Sequence, residues 1–172
     1  MKDSIICYSV GPLLYCPADH TGIAASLIRE RFGKQFSLAL CLEDTISEGH
    51  VETAEQQLAA TLSILHDARS DRPFFLPKIF IRVRRPEQIL KLMRLFGEHQ
   101  DLVTGFILPK FSPENADAYR QAILLANEIC RNPVYAMPIL EDRGIIDLRS
   151  RRELFYQLKE VLDSMEERIL NV

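Results

Sequence analysis

The stretch FSLALCLED, residues 36–44, is an almost continuously apolar run that ends in two carboxylates. A strand with one solvent-exposed face alternates apolar and polar side chains. An uninterrupted apolar run is instead typical of a strand covered on both faces, as in a parallel sheet. We therefore predict a buried parallel strand over 36–42, with Glu43 and Asp44 at its carboxyl end.

The same succession of an apolar run and a helical pattern repeats along the whole chain. Strands that alternate with helices in this way indicate βαβ units and a parallel sheet. Pro138 lies inside the last predicted strand, where it cannot donate a hydrogen bond to the ladder. The further strands are predicted over 13–16, 78–83, 105–108 and 134–140, and the helices over 21–32, 51–68, 86–96, 113–130 and 150–170.

Length and composition suit one globular α/β domain over residues 1–172, with 47% hydrophobic and 26% charged residues. A net charge of −3 offers no basic surface for a phosphate backbone, so we expect no nucleic-acid partner. The four cysteines form no CxxC pair, and no apolar stretch approaches the ~20 residues of a membrane span. Because the sequence also lacks a secretory leader pattern, we expect a cytoplasmic protein without membrane contact.

Charged side chains follow every predicted strand. The carboxyl ends of parallel strands meet at one edge of an α/β fold, so we expect these side chains to share a rim. Solvated loop tips explain any single one of them, whereas the repetition favours a site for a hard divalent ion and an anionic ligand. The residues are Asp19, His20, Glu43, Asp44, Arg82, Arg84, Lys110, Glu141 and Asp142.

Five short motifs at these strand ends carry a family resemblance. They are LYCPAD at 14–19, LED at 42–44, IRV at 81–83, ILPK at 107–110 and ILE at 139–141. In this order and spacing they resemble the citrate lyase beta-subunit-like (HpcH/HpaI aldolase) superfamily, and within it the C–C bond lyase branch of tellurite-resistance-type gene clusters. Each motif is weak alone, but together they span nearly the whole chain.

The resemblance implies a (β/α)8 TIM barrel and a Mg²⁺-dependent carbon–carbon lyase or aldolase of the citrate lyase beta and malyl-CoA lyase type. Its substrate would be a 2-oxo acid or its CoA adduct, cleaved through a metal-stabilised enolate. By the same resemblance Glu141 is the metal ligand and Arg82 binds substrate. Glu43 and Asp44 form the acidic pair near the metal, so Arg82, Glu43 and Asp44 are the expected catalytic set. Lys110 is expected to support the anionic substrate.

The first turn and three departures from the family pattern bear on substrate choice. Asp19 and His20 follow the first strand and are expected to bind substrate, with His20 as the best histidine for acid–base work. His20 stands where the family has an arginine, Cys41 where it has an aspartate, and Arg84 where it has an asparagine. We expect these departures to change the substrate or to remove the activity.

The length supports only part of a barrel. Eight βα units need roughly 250 residues, so this chain supplies the first five, and the family's second metal carboxylate would lie beyond Val172. We expect a homo-oligomer or completion by a further C-terminal segment, because five units leave strand edges unpaired. Two alternatives stay open: a non-catalytic barrel relative or scaffold subunit, and a five-stranded flavodoxin-like doubly wound sheet that binds a small ligand.

Overall fold

One sheet of five parallel strands lies at the centre of the fold. The computed structural model describes residues 9–141, 143–165 and 168–169. The strands follow one another across the sheet in chain order, and every neighbouring pair is parallel. They are β1 (Leu13–Pro17), β2 (Ser37–Cys41), β3 (Ile79–Arg82), β4 (Val103–Leu108) and β5 (Tyr135–Pro138).

A helix follows each strand, as the sequence predicts. No helix in the described part of the chain is both long and apolar enough to cross a membrane. The α-helices are α1 (Ile23–Ile28), α2 (Val51–Asp71), α3 (Pro86–Phe96), α4 (Pro113–Ile129) and α5 (Leu148–Ser164), and short 3₁₀ turns cover Glu48–His50, Gly97–Leu102 and Arg143–Ile145.

The helices all pack on the same face of the sheet. Strand residues such as Leu40, Ile81 and Phe106 share a large buried cluster with residues of all five helices. The opposite face holds a second buried cluster, which contains no helical residue among those described. Its members are Val10, Ala39, Phe80, Ile107 and Met137, with Leu13, Tyr135 and Ile139 partly buried against them.

This one-sided arrangement is that of a βα barrel wall, in which helices cover the outside and side chains fill the inside. A flavodoxin-like sheet has helices on both faces and the strand order 2-1-3-4-5. Here the order is 1-2-3-4-5. The fold is therefore five consecutive βα units of a TIM barrel.

The sheet also extends past β5. Ile169 forms an isolated parallel bridge with Ala136, and the Ala136 amide donates to the carbonyl of Arg168 at 2.6 Å. This pairing lies on the edge of β5 away from β4. The chain after α5 thus returns to the next place in the strand order.

The predicted helix over 21–32 is too long, because α1 ends at Ile28. Glu30 adopts a left-handed conformation, φ +52°, and its amide donates to Leu27 while the amide of Arg31 reaches back to Ser26. This pair of hydrogen bonds is a Schellman ending, which Gly usually supplies. The helix therefore ends four residues before the predicted end at residue 32.

The boundaries of the last strand and the last helix also differ from the prediction. β5 ends at Pro138, which lacks an N–H, although the Ile139 amide still donates to Leu108 at 2.9 Å. α5 begins at Leu148 rather than at Ser150, because Asp147 caps it by accepting from the amides of Arg149 and Ser150. α5 ends at Ser164 and Ile169 forms a β-bridge, so the predicted helix to residue 170 is too long.

Candidate functional site

Charged side chains from four neighbouring strand ends meet at one rim of the sheet. Arg82 is the last residue of β3, and Glu43 and Asp44 follow β2. Lys110 follows β4 and Glu141 follows β5. The parallel pairing brings these ends together, as the sequence predicts, and the five side chains form what we call the Arg82 cluster.

Arg82 lies at the centre of this cluster and is only 13% exposed. Its Nη2 atom lies 2.5 Å from Glu43 Oε2, 3.1 Å from Asp44 Oδ2 and 3.5 Å from Glu141 Oε1. Glu43 is 7% exposed, whereas Asp44 is 64% exposed. Three carboxylates therefore contact one guanidinium nitrogen, and Glu43 is the one that is buried with it.

Lys110 joins the same cluster through both its side chain and its backbone. Its Nζ atom lies 2.9 Å from Glu43 Oε1, and its amide donates to Glu141 Oε1 at 2.8 Å. The residue adopts a left-handed backbone conformation, φ +49°. Asn115 holds that conformation, because its Nδ2 donates to the Lys110 carbonyl at 2.9 Å.

The charges of the cluster keep both cations protonated. Burial by itself lowers the pKa of Arg82, but the charge and hydrogen bond of Glu43, together with Asp44 and Glu141, raise it above its ordinary value. The hydrogen bond from Lys110 to Glu43, followed by the charge of Glu43, raises the pKa of the Lys110 amine. The site thus presents two fixed positive charges at neutral pH.

One donor of this site has no partner among the described residues. The Nε–H of Arg82 is buried and makes no hydrogen bond with them. A buried donor left unpaired costs roughly 1–3 kcal/mol, so such groups in native proteins call for a specific explanation. An anionic oxygen bound beside the guanidinium would satisfy this donor.

The carboxylates of the cluster suit a hard metal ion by their chemistry. Mg²⁺ prefers oxygen ligands and is commonly bound through one or two carboxylates, with water and substrate oxygens filling the rest. Within the described residues no three acidic, histidine or cysteine side chains surround one point as a ready-made metal site. Glu141, which is 35% exposed, and Asp44, which is 64% exposed, are the carboxylates of the cluster that an ion could reach from solvent.

Asp19 and His20, which the sequence predicts as substrate-binding residues, do not join this cluster. Both are exposed in the turn after β1. The Nδ1 atom of His20 accepts a hydrogen bond from the Gly22 amide at 3.0 Å, so the ring faces its own turn. No hydrogen bond or ion pair links either residue to the Arg82 cluster in the described part of the chain. The predicted rim residue Asp142 lies outside the described residues.

Tyr15 is a neighbour of the site that the sequence analysis does not select. Burial raises the pKa of its phenol, and the positive charge of Arg82 opposes this rise. Tyr15 alternates with Leu14 and Cys16 on β1, which places it on the inner face with Leu13. The alternation of side chains between the two faces of the predicted strand is the sequence signal that indicates Tyr15 as a residue of the inner face.

Comparison with solved structures finds protein CitE from Mycobacterium tuberculosis in three complexes. The complex with magnesium and acetate is 18% identical, with a TM-score of 0.46, over 82% of this chain and 49% of that chain. The complex with magnesium, acetoacetate and coenzyme A is 16% identical, with a TM-score of 0.39, over 91% and 63%. The complex with magnesium and pyruvate is 15% identical, with a TM-score of 0.33, over 89% and 82%.

The chain thus spans about half the length of the first of these structures and 63% of the second. No curated protein matches its sequence. A family model described as C–C bond lyase of the TIM-barrel fold matches residues 4–172. Because this match covers nearly the whole sequence, the chain belongs to the C–C bond lyase family of the TIM-barrel fold.

Proposed function

We propose that this chain carries the site of a Mg²⁺-dependent carbon–carbon lyase that acts on a 2-oxo acid or its CoA adduct. The observation that carries the proposal is Arg82, whose guanidinium is buried at a strand end with an unpaired Nε–H. Hydrogen bonds from a guanidinium N–H to an anionic oxygen are strong, so one oxygen of a small keto acid would satisfy this donor.

Arg82 would act on the charge that develops during cleavage. When the carbon–carbon bond breaks, one fragment keeps the bonding electrons as an enolate with a negative oxygen. A fixed guanidinium in a partly buried site stabilises such an oxyanion without having to reorganise. Glu43 fixes that guanidinium, because its own carboxylate is buried against it.

Lys110 and Glu141 complete the set. The Lys110 amine, which is 72% exposed, lies where the far end of an anionic substrate would enter. Glu141 would hold the metal, which as a Lewis acid polarises a carbonyl oxygen of the substrate when it is bound. The proposal also includes the use of a CoA adduct as substrate, a second metal ligand and the association of copies of the chain.

The association of copies is supported by the free edge of β1, because within the described residues β1 pairs with β2 alone.

Ligand-induced stabilisation tests the proposal. A ligand at 100 times its Kd stabilises the folded state by about 2.7 kcal/mol. For a chain of this size that raises the melting temperature by about 5–10 °C. We expect Mg²⁺ with pyruvate or oxaloacetate to give such a rise in the wild type, and Arg82→Gln and Glu141→Gln to abolish it.

Two variants of the same chemistry serve as controls. Arg120→Gln removes an arginine that pairs with Asp117 on α4, and Glu153→Gln removes an exposed carboxylate of α5. Both should keep the ligand-induced rise. A wild type that shows no rise with any keto acid would contradict the proposal and favour a non-catalytic scaffold that uses the same barrel.

A further inference from the structure

Arg84 reaches from the end of β3 into the loop that carries the acidic pair. Its Nη1 atom donates to the carbonyl oxygens of Leu42 at 3.0 Å, Glu43 at 2.9 Å and Ile46 at 2.9 Å. Its Nη2 atom donates to Glu48 Oε2 at 2.7 Å. One guanidinium thus contacts four residues of the segment 42–48.

The segment 42–48 curls around that guanidinium. A single Nη atom carries two hydrogens, so the three carbonyls share them, and all three must point inward at once. Few backbone hydrogen bonds hold the segment. The Leu42 amide donates to the carbonyl of Arg82 at 2.9 Å, and the Ile46 amide donates to the carbonyl of Glu43 at 3.3 Å. Arg84 therefore supplies much of the polar contact that gives this segment its shape.

The other side of Arg84 is anchored in the helix layer. Its amide donates to Gln88 Oε1 at 2.8 Å, and Gln88 Nε2 donates to Glu55 Oε1 at 2.7 Å. Gln88 and Glu55 are 5% and 2% exposed, and Lys91 forms an ion pair with Glu55. A buried polar chain of this kind resists movement, because breaking one of its hydrogen bonds leaves an unsatisfied buried group. Hydrogen bonds through Arg84 thus connect the segment 42–48 to α2 and α3.

We propose that Arg84 is a positioning residue that fixes the segment 42–48 and so holds the Glu43 carboxylate between Arg82 and Lys110. If the segment loosened, Glu43 would no longer restrain the Arg82 guanidinium, and an anionic ligand would meet a mobile donor. A lysine at this position cannot replace the arginine, since one ammonium lacks the planar fork that spans the carbonyls and Glu48. The ligand-binding part of this inference rests on the proposed function.

Amide hydrogen exchange of the full chain tests the inference without any ligand. In Arg84→Ala we expect the amides of Leu42 and Ile46 to exchange at least tenfold faster, while amides of β4 keep their rates. The matched control is Arg85→Ala, which removes the next, exposed arginine. Guanidinium ion added at millimolar concentration should restore slow exchange in Arg84→Ala, urea should not, and Arg84→Lys should recover only part of it.

Binding of pyruvate in the presence of Mg²⁺ gives the second measurement. We expect its Kd to rise at least tenfold in Arg84→Ala and to stay unchanged in Arg85→Ala. Unchanged exchange at Leu42 and Ile46, equal acceleration at all core amides, or a loosened segment with unchanged pyruvate affinity would each overturn the inference. If the wild type binds no pyruvate, the proposed function fails, whereas the exchange rates alone still decide whether Arg84 fixes the segment.

Discussion

Lys110 combines a charged side chain at the site with a left-handed backbone, φ +49°. This conformation is costly for any residue with a Cβ and free of that cost for glycine. We therefore expect Lys110→Gly to melt about 2–4 °C above Lys110→Ala, although both variants lose the same amine. Thermal unfolding followed by circular dichroism measures the difference.

The control for this prediction is an ordinary helical lysine. Lys159 lies in α5 and is 65% exposed, with an ion pair to Asp163. There the order should be reversed, with Lys159→Ala melting above Lys159→Gly, because glycine weakens a helix interior. If the alanine variant also melted above the glycine variant at position 110, the backbone of Lys110 would not be strained.

The residues of the Arg82 cluster could be predicted because their position depends on strand ends alone. Parallel pairing brings Glu43, Arg82 and Lys110 to one rim whatever the side-chain conformations are. Arg84 and His20 could not be assigned in this way. Arg84 acts through the carbonyls of a loop whose path the sequence does not specify, and His20 turns toward Gly22 by a local hydrogen bond.

At the scale of the elements, Gly105 sets how closely β4 and β5 can pair. A Cβ added to it would lie 2.9 Å from the carbonyl carbon of Tyr135 and 3.1 Å from its nitrogen, both in the backbone of β5. Neither strand can yield without breaking the ladder, so we expect Gly105→Ala to lower the free energy of unfolding by about 1–3 kcal/mol or more. Urea denaturation measures this loss.

Gly49 provides the matched comparison for that substitution. A Cβ there meets nothing within 4 Å, and its φ lies outside the positive region. Gly49→Ala should therefore change the free energy of unfolding by no more than about 0.5 kcal/mol. Equal effects of the two substitutions would argue against the close approach of β4 to β5.

The elements themselves were predictable, but some of their ends were not. Pro86 and Pro113 open α3 and α4 as predicted, because proline suits the first position of a helix. The end of α1 depends on Glu30, which takes the place that glycine usually has. Glu30 is held there by tertiary contacts, since its Oε1 accepts from the Phe75 amide at 2.8 Å. A contact between residues 45 positions apart leaves no local signal in the sequence.

At the scale of the whole molecule, the inner cluster should contribute to stability even though no described helix covers it. Phe80 is fully buried in that cluster. Truncating a buried phenylalanine costs about 3–5 kcal/mol, so we expect Phe80→Ala to lower the free energy of unfolding by that amount. Phe155→Ala on α5, where the ring is 44% exposed, should cost about 1 kcal/mol or less. Equal, small losses in urea denaturation would mean that the inner face is not packed.

The order of strands in the sheet also governs how the polypeptide can fold while it is being made. Each strand pairs with the one translated immediately before it, and the helix between them covers the junction. Ribosomes release the N-terminal part first, at about 5–20 residues per second. Each newly synthesised strand can therefore pair with a strand that has already emerged, and the sheet can grow one βα unit at a time from β1 towards Ile169.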